Sequence, residues 1–300
     1  CMMEGITSEA ASLAGTLKLN KLIVIYDDNE ITIEGDTDIA FTEDVSKRFD
    51  AYGWNVIEVQ DGNNTMEISE ALDQAKASTE KPTLIRMRTE IGYGSPLAGS
   101  EKTHGAPLGE ENIAKTKAAL GWPEDRAPFE IGEELTAYFE TKREELQKQE
   151  DQWNALYEAW GKENPELKAE FEHDDTEEIK ALLDDEDFFF IDKDQASRVS
   201  SGQMLNYLNG KFPNLFGGSA DLAPSNNTEL LDETWYSPEN RGGKNIHFGV
   251  REHAMAAMAN GMSLYGGLKV FCATFLVFSD YMRGAMRLSA LMKQPVLYVL

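Results

Sequence analysis

Disulfides are the first thing this chain cannot rely on. Its 300 residues hold two cysteines, Cys1 and Cys272, too few for a stapled framework and in keeping with a reducing compartment. Basic charge is scarce as well. Lys and Arg number 28 against 53 Asp and Glu, a formal charge of −25 with pI near 4.5. Nucleic acid or an anionic membrane would need the basic patch that this balance denies, whereas a few local donors still suffice for a small phosphorylated ligand. No apolar run approaches the length of a membrane span, no signal peptide is recognisable, and no short-period repeat marks a solenoid. The chain opens on Cys1-Met2-Met3-Glu4-Gly5 and stops within a strand-like run at Leu300. Both ends therefore read as cut, and missing targeting signals carry little weight. What is present is a hydrophobic fraction of 41%, enough for large cores, in a length that suggests about two domains.

Residues 8–17 are good helix formers behind a Thr7 or Ser8 cap. The run KLIVIY at 21–26 is short and continuously apolar, the pattern of a buried parallel strand. It leads into Asp27-Asp28-Asn29 and then Ile31. Doubly wound sheets place ligands at the carboxyl ends of their strands, and Asp and Asn oxygens suit Mg2+ or Ca2+. The competing reading is an Asx turn that merely ends the strand. A helix at 44–52, a strand at 54–59, a turn at 61–64, a helix at 66–77 and a strand at 83–88 follow. Strand and helix alternate, which predicts an α/β fold with a parallel sheet. A long glycine-rich stretch then runs from Ile91 to Leu108 with one histidine, His104. Such loops often carry function, although a lone loop histidine is usually just solvated.

Charge rises through 125–187, where Trp153, Tyr157 and Trp160 punctuate a helical pattern. This predicts a connecting segment of amphipathic surface helices, its acidic run at 184–187 a solvated face or linker rather than a metal site. The α/β pattern then resumes: helix 195–209, strand 215–222 entering a turn, a strand-like stretch at 245–249, helix 254–265, strand 268–273 inside an apolar run reaching Phe278, helix 275–291, and strand 295–300. At its centre stands GVREHAM, 249–255. Glu252 sits at the mouth of a helix rich in Ala, Met and Gly, where desolvation raises a carboxyl pKa and makes the group a usable proton donor. A charge pair of Arg251 and Glu252 at a helix N-terminus is the plainer reading. Phe275, Phe278 and Tyr281 fall at i, i+3 and i+6, a spacing that by itself indicates core packing.

Six segments, in this order, resemble the bacterial transketolases, a family of thiamine diphosphate enzymes: EAASLAG (9–15), YDDN (26–29), IGYGS (91–95), HGAPL (104–108), GGSADLAPSN (217–226) and REHAM (251–255). The resemblance covers almost all of the chain and is weakest in the charged connecting segment. It implies two doubly wound parallel-sheet domains of the thiamine diphosphate-binding fold, joined by a long helical linker. Residues 1–128 would be the C-terminal part of the diphosphate-binding domain, 129–188 the linker, and 189–300 the N-terminal part of the pyrimidine-binding domain. The implied activity is reversible transfer of a two-carbon ketol group from a ketose phosphate to an aldose phosphate in the pentose phosphate pathway. A cytoplasmic homodimer with its active site at the interface is implied as well. A dihydroxyacetone synthase-like or other thiamine diphosphate enzyme, or a non-catalytic cofactor-binding fragment, is the alternative.

By the same resemblance, the Asn29 side chain and the Ile31 carbonyl hold Mg2+ (or Ca2+) on the diphosphate. A third ligand, from a Gly-Asp-Gly turn, would fall just before Cys1. Glu252 would hydrogen-bond the cofactor's aminopyrimidine ring, whose protonation helps make the thiazolium carbon nucleophilic. Phe275, Phe278 and Tyr281 would surround that ring. Ile91 would pack on the cofactor. Glu4, Glu9 and Asp221 match acidic positions near the cofactor and the subunit contact, placed to share protons with Glu252. His104 would lie near the reacting carbon as a proton shuttle and substrate contact, and Arg198 and Ser225 would hold the sugar phosphate. The loop at 99–104 lacks a second histidine that some members carry.

Overall fold

A computed structural model describes residues 2–123, 126–173, 175–189 and 191–300. The chain divides into two units, one of Cys1–Tyr93, Leu97–Ala106 and Asp185–Leu300, the other of Gly94–Pro96 and Pro107–Asp184.

The first unit begins with α1 (Gly5–Thr16), whose residues GITSEAASLAGT include one charge, Glu9. A helix this small and apolar can be buried on more than one side. Ala11 and Ala14 pack with Phe49, Trp54 and Leu84, while Leu13 and, just past the helix end, Leu17 pack with Met255, Ala256 and Ala259. Gly15 makes the approach possible: a Cβ there would lie 1.9 Å from the Tyr52 carbonyl oxygen. Strand β1 (Ile23–Asp28) follows, then a hairpin of β2 (Ile31–Thr32) and β3 (Gly35–Asp36), α2 (Val45–Ala51), β4 (Asn55–Val59), α3 (Thr65–Ala77) and β5 (Thr83–Arg88). The parallel sheet has the order β1-β5-β4, with Ile23 and Asn55 both in register with Thr83. Helices α1 and α2 cover one face, and Ala71 and Ala75 of α3 cover the other against Val59 and Ile85. Central β5 buries Thr83, Leu84 and Ile85. The apolar run expected as a buried strand, β1, is instead an edge strand among the described residues. Ile25 is 50% exposed there, because β5 flanks β1 on one side only.

The second unit is helical: α4 (Glu110–Ala119), α5 (Glu133–Glu163), α6 (Pro165–Glu172) and α7 (Thr176–Ala181). The start expected for this segment, Asp125, lies outside the described residues. Over its 31 residues α5 places Glu133 and Glu134 in its first turn and Lys162 in its last, the polarity its dipole favours. The three aromatics of the helical pattern stack along it, Trp153 on Tyr157 at 5.3 Å and Tyr157 on Trp160 at 5.7 Å. Pro165 opens α6 at its first turn, and Lys168 reaches back to Glu158 at 2.8 Å.

The first unit resumes with α8 (Glu186–Phe189), α9 (Ser197–Lys211), β6 (Leu215–Ser219), α10 (Ala223–Asn226), α11 (Glu252–Tyr265), β7 (Lys269–Ala273), α12 (Ser279–Leu291) and β8 (Leu297–Val299). The second parallel sheet has the order β6-β7-β8, with β7 buried at its centre. Three local expectations change. The acidic run at 184–187 is not wholly solvated, since the Tyr207 hydroxyl donates to Asp185 at 2.6 Å and holds its carboxyl below the usual range. Residues 245–249 pair only as isolated bridges at Asn245. Asn245 bridges Gly217 of β6, and its buried amide also accepts from Leu230 N at 2.9 Å and donates to Leu230 O at 2.9 Å, tying the segment to a loop as well. At Gly218 a Cβ would lie 1.9 Å from the Ile246 carbonyl oxygen, so the segment runs closely against β6. The apolar run to Phe278 leaves the sheet at Ala273, and a 3-10 turn at Leu276–Phe278 precedes α12. Cys1 lies outside the described residues; Cys272 is a free thiol buried in β7, and burial pushes its pKa up to about 12. No helix among the described residues is long and apolar enough to cross a membrane.

Candidate active site

The carboxyl ends of β1, β4 and β5 open on a cavity of about 430 Å3, lined by Asn29 and Ile31 together with Glu30, Asp61, Arg88 and Thr89 among others. This is where a parallel sheet offers a ligand crevice. Its rim is tied strand to strand. The Thr89 hydroxyl donates to Asp27, Arg88 pairs with Glu30, and Gly62 N donates to the Arg88 carbonyl at 2.8 Å. Beneath it the buried Asp28 carboxylate accepts two bonds from Arg86, each 2.7 Å. Desolvation, then the Asp28 charge, pushes the neighbouring Tyr26 hydroxyl up to about 12. The Asn29 amide oxygen accepts from Ile31 N at 3.2 Å. The Asx turn is therefore real, and it fixes the amide oxygen beside the backbone that the metal reading invokes. Among the described residues no group of three or more His, Cys, Asp or Glu is arranged to hold an ion. An amide oxygen and a backbone carbonyl are hard donors that fit Mg2+ when phosphate oxygens and water complete its shell.

A second cluster forms at the mouth of α11. Glu252 occupies the first helical position and is 9% exposed. Arg251 does not pair with it: the guanidinium donates to Phe248 O at 2.9 Å and to Ser12 Oγ at 3.0 Å. Among the described residues the Glu252 carboxylate takes no hydrogen bond from protein. A buried carboxylate without a protein donor fits a ligand that brings its own donor, as an aminopyrimidine ring does. Phe275, Phe278 and Tyr281 are not core. Phe275 is 37% and Tyr281 65% exposed, and the rings form a near-parallel ladder with centroids 6.4 and 6.1 Å apart and interplanar angles of 22° and 16°. Exposed parallel rings are a surface on which a flat heteroaromatic ring can lie.

The remaining expected residues are distributed around these clusters. Asp221 follows β6 with φ +61°, a left-handed backbone that Asp tolerates better than most residues. Arg198, in the first turn of α9, and Ser225, in α10, are both exposed on adjoining helices, where Gly202 of α9 packs on Asn227 at the end of α10. Ile91 is half-buried, its carbonyl accepting from Gly99 N at 2.8 Å, and His104 is exposed in the same loop. Glu4 is exposed at the start of α1. Glu9 turns inward: its carboxylate accepts from the Ala254 N–H at 2.9 Å. None of the α11 residues, the aromatic ladder, Arg198, Ser225 or His104 lines the cavity that holds Asn29 and Ile31. Sequence reading passed over Arg86, Arg88 and Ser12. Cross-strand register would have offered the two arginines, which alternate on β5 opposite Tyr26 and Asp28 of β1.

Comparison with known proteins joins these observations. Residues 1–179 match the family model described as "Transketolase, thiamine diphosphate binding domain", and 193–300 match "Transketolase, pyrimidine binding domain". The transketolase of Halalkalibacterium halodurans is 48% identical over 302 residues, covering 99% of this chain and 45% of that protein. Transketolase 1 of Escherichia coli is 46% identical over 301 residues, covering 98% of this chain and 45% of that protein. Among solved structures, the transketolase of Pichia stipitis in complex with sedoheptulose 7-phosphate superposes with a TM-score of 0.89 at 39% identity, over 99% of this chain and 45% of that one. The Leishmania mexicana transketolase gives 0.89 at 37% identity over the same shares. The chain thus spans less than half the length of the relatives it matches.

Proposed function

The chain belongs to the transketolase family, and we propose that it carries part of an enzyme that moves a two-carbon ketol group from a ketose phosphate to an aldose phosphate. The observation that carries this reading is the buried Glu252 carboxylate, without a protein donor among the described residues, at the mouth of α11 in a chain whose 193–300 match a pyrimidine-binding domain. Thiamine diphosphate, when bound, supplies the electron sink for breaking and making the carbon–carbon bond. Glu252 holds a proton at the cofactor's ring nitrogen. Phe275, Phe278 and Tyr281 bind and orient the ring, with Asp221 and Glu4 beside it and Ile91 packing on the cofactor. Asn29 and Ile31 hold the diphosphate through Mg2+. Arg198 and Ser225 grip the sugar phosphate, where a guanidinium makes a charge-assisted contact, and His104 moves a proton near the reacting carbon. The parts before and after β5 and the helical segment divide as a diphosphate-binding portion at 1–128, a linker at 129–188 and a pyrimidine-binding portion at 189–300. A cytoplasmic homodimer completes the reading; for the dimer, the support is that neither Glu252 nor the aromatic ladder lines the cavity that holds Asn29 and Ile31 among the described residues.

The test is a donor and acceptor screen on the full-length enzyme with thiamine diphosphate and Mg2+. Xylulose 5-phosphate as donor with an aldose phosphate as acceptor is expected to turn over, and formaldehyde to be a poor acceptor. Preference for formaldehyde would make the enzyme dihydroxyacetone synthase-like, and no turnover with any pair would overturn the proposal.

A further inference from the structure

Helix α11 begins without a cap of its own. Its N-cap residue, Arg251, makes no side-chain bond to the first turn, although the first N–H groups of a helix need outside acceptors. One acceptor arrives from 245 residues away: Glu9 Oε2 takes the Ala254 N–H at 2.9 Å. A carboxylate at this position satisfies an orphan donor and meets the positive end of the helix dipole. One turn along α1 from Glu9, Ser12 Oγ accepts from the Arg251 guanidinium at 3.0 Å, whose other nitrogen ties to Phe248 O at 2.9 Å. The backbone between them contains Gly249 at φ +66° and Arg251 at φ −149°, ψ 58°, a turn that no regular hydrogen-bond ladder maintains. Glu252 lies between the two anchors.

We propose that Glu9 is a positioning residue for Glu252: it caps α11 from outside the helix and, with Ser12 on the Arg251 side, fixes the turn that aims the Glu252 carboxylate. This rests on the role given to Glu252 above, but it assigns Glu9 a hydrogen-bond acceptor's task rather than a share in proton transfer. An amide oxygen can do the first and not the second, so Glu9→Gln and Glu9→Ala separate the two.

The readout is hydrogen exchange by mass spectrometry on the peptide spanning 249–256 of the full-length enzyme without cofactor, together with kcat and KM of the loaded enzyme. Glu9→Ala should speed exchange in the first turn of α11 by roughly two- to thirty-fold, the range that loss of a cap produces, and should lower kcat more than it raises KM. Glu9→Gln should stay near the parent in both measurements. Parental exchange in Glu9→Ala, or a Glu9→Gln enzyme as impaired as Glu9→Ala, overturns the proposal. If Glu9→Ala does not fold, Glu9→Gln still decides between the two roles. A fully active Glu252→Gln enzyme would instead remove the role of Glu252, and would do so whatever the exchange data show about the cap.

Discussion

Four carboxylates near the two clusters have the same chemistry and different surroundings, and the surroundings separate their roles. Asp28 is neutralised by Arg86, Glu9 is spent on a helix N-terminus, Glu30 pairs with Arg88, and Glu252 is buried with no protein donor among the described residues. Replacing Glu252 by Ala in the full-length enzyme should leave the melting temperature near the parental value while kcat falls by about 10²–10⁴, the usual contribution of a positioned proton-holding group; calorimetry and steady-state kinetics on one preparation check both. Arg198→Ala should weaken phosphorylated donors by about 1.5–3 kcal/mol, the value of a charge-assisted bond, and leave unphosphorylated donors nearly unchanged. Equal losses in kcat/KM for both donor types would remove Arg198 from the phosphate site. Cys272 gives a pH prediction. Its folded pKa is raised by burial from 9.0 to about 12. Below pH 9 the thiol is protonated in folded and unfolded chains alike, and its contribution is complete. From pH 9 to about 12 the unfolded chain releases a proton that the folded chain keeps, so stability falls by at most about 1.4 kcal/mol per pH unit from this group. Tyr26, raised from 10.0 to about 12, adds to the fall in the upper part of that window. Urea unfolding from pH 8 to 11 should show the decline, and Cys272→Ala should flatten it.

At the scale of elements, the cavity at the end of the first sheet is acidic. Among the described residues Glu30, Asp36, Asp61 and Glu90 line it against one cation, Arg88, which is already paired with Glu30. A diphosphate entering alone would meet net negative charge, which a divalent cation of the kind proposed above would offset. Chelation of Mg2+ should therefore weaken thiamine diphosphate binding to the full-length enzyme by at least the 1.5–3 kcal/mol of one charge-assisted contact, measured by titration calorimetry with and without the metal. The elements that build this cavity were legible in the sequence because their signals are local. The run 83–88 coincides with β5, and Asn64 accepts from the Met66 and Glu67 N–H groups as a cap before α3 should. Harder to read was what depends on neighbours distant in sequence. The aromatic ladder has the spacing of a core stripe, but it runs from the turn after β7 into the first turn of α12, with Phe275 and Tyr281 exposed. The cap on α11 comes from α1, which local cap rules do not reach.

At the scale of the molecule, the question is how two half-sites become one. The cavity with Asn29 and Ile31 belongs to the first sheet, and Glu252 with the aromatic ladder belongs to the second. Helix α1 joins the two sheets through opposite faces, Ala11 and Ala14 toward one and Leu13 toward the other. That packing holds each half-site in place on its own sheet without making the cavity lining include the ladder. On the function proposed above, a cofactor touching both clusters would be served by a second copy of the chain, and a two-fold dimer would provide two such sites. The prediction is tested by complementation between two inactive full-length variants, Asn29→Ala and Glu252→Ala, unfolded and refolded together, with mixed dimers confirmed by mass. If each site is built across the interface, a mixed dimer carries one doubly damaged site and one intact site, so activity should return toward half the parental value per mixed dimer. If each site is built within one chain, every site keeps a lesion. The mixture is then as inactive as its components, and the shared site is ruled out.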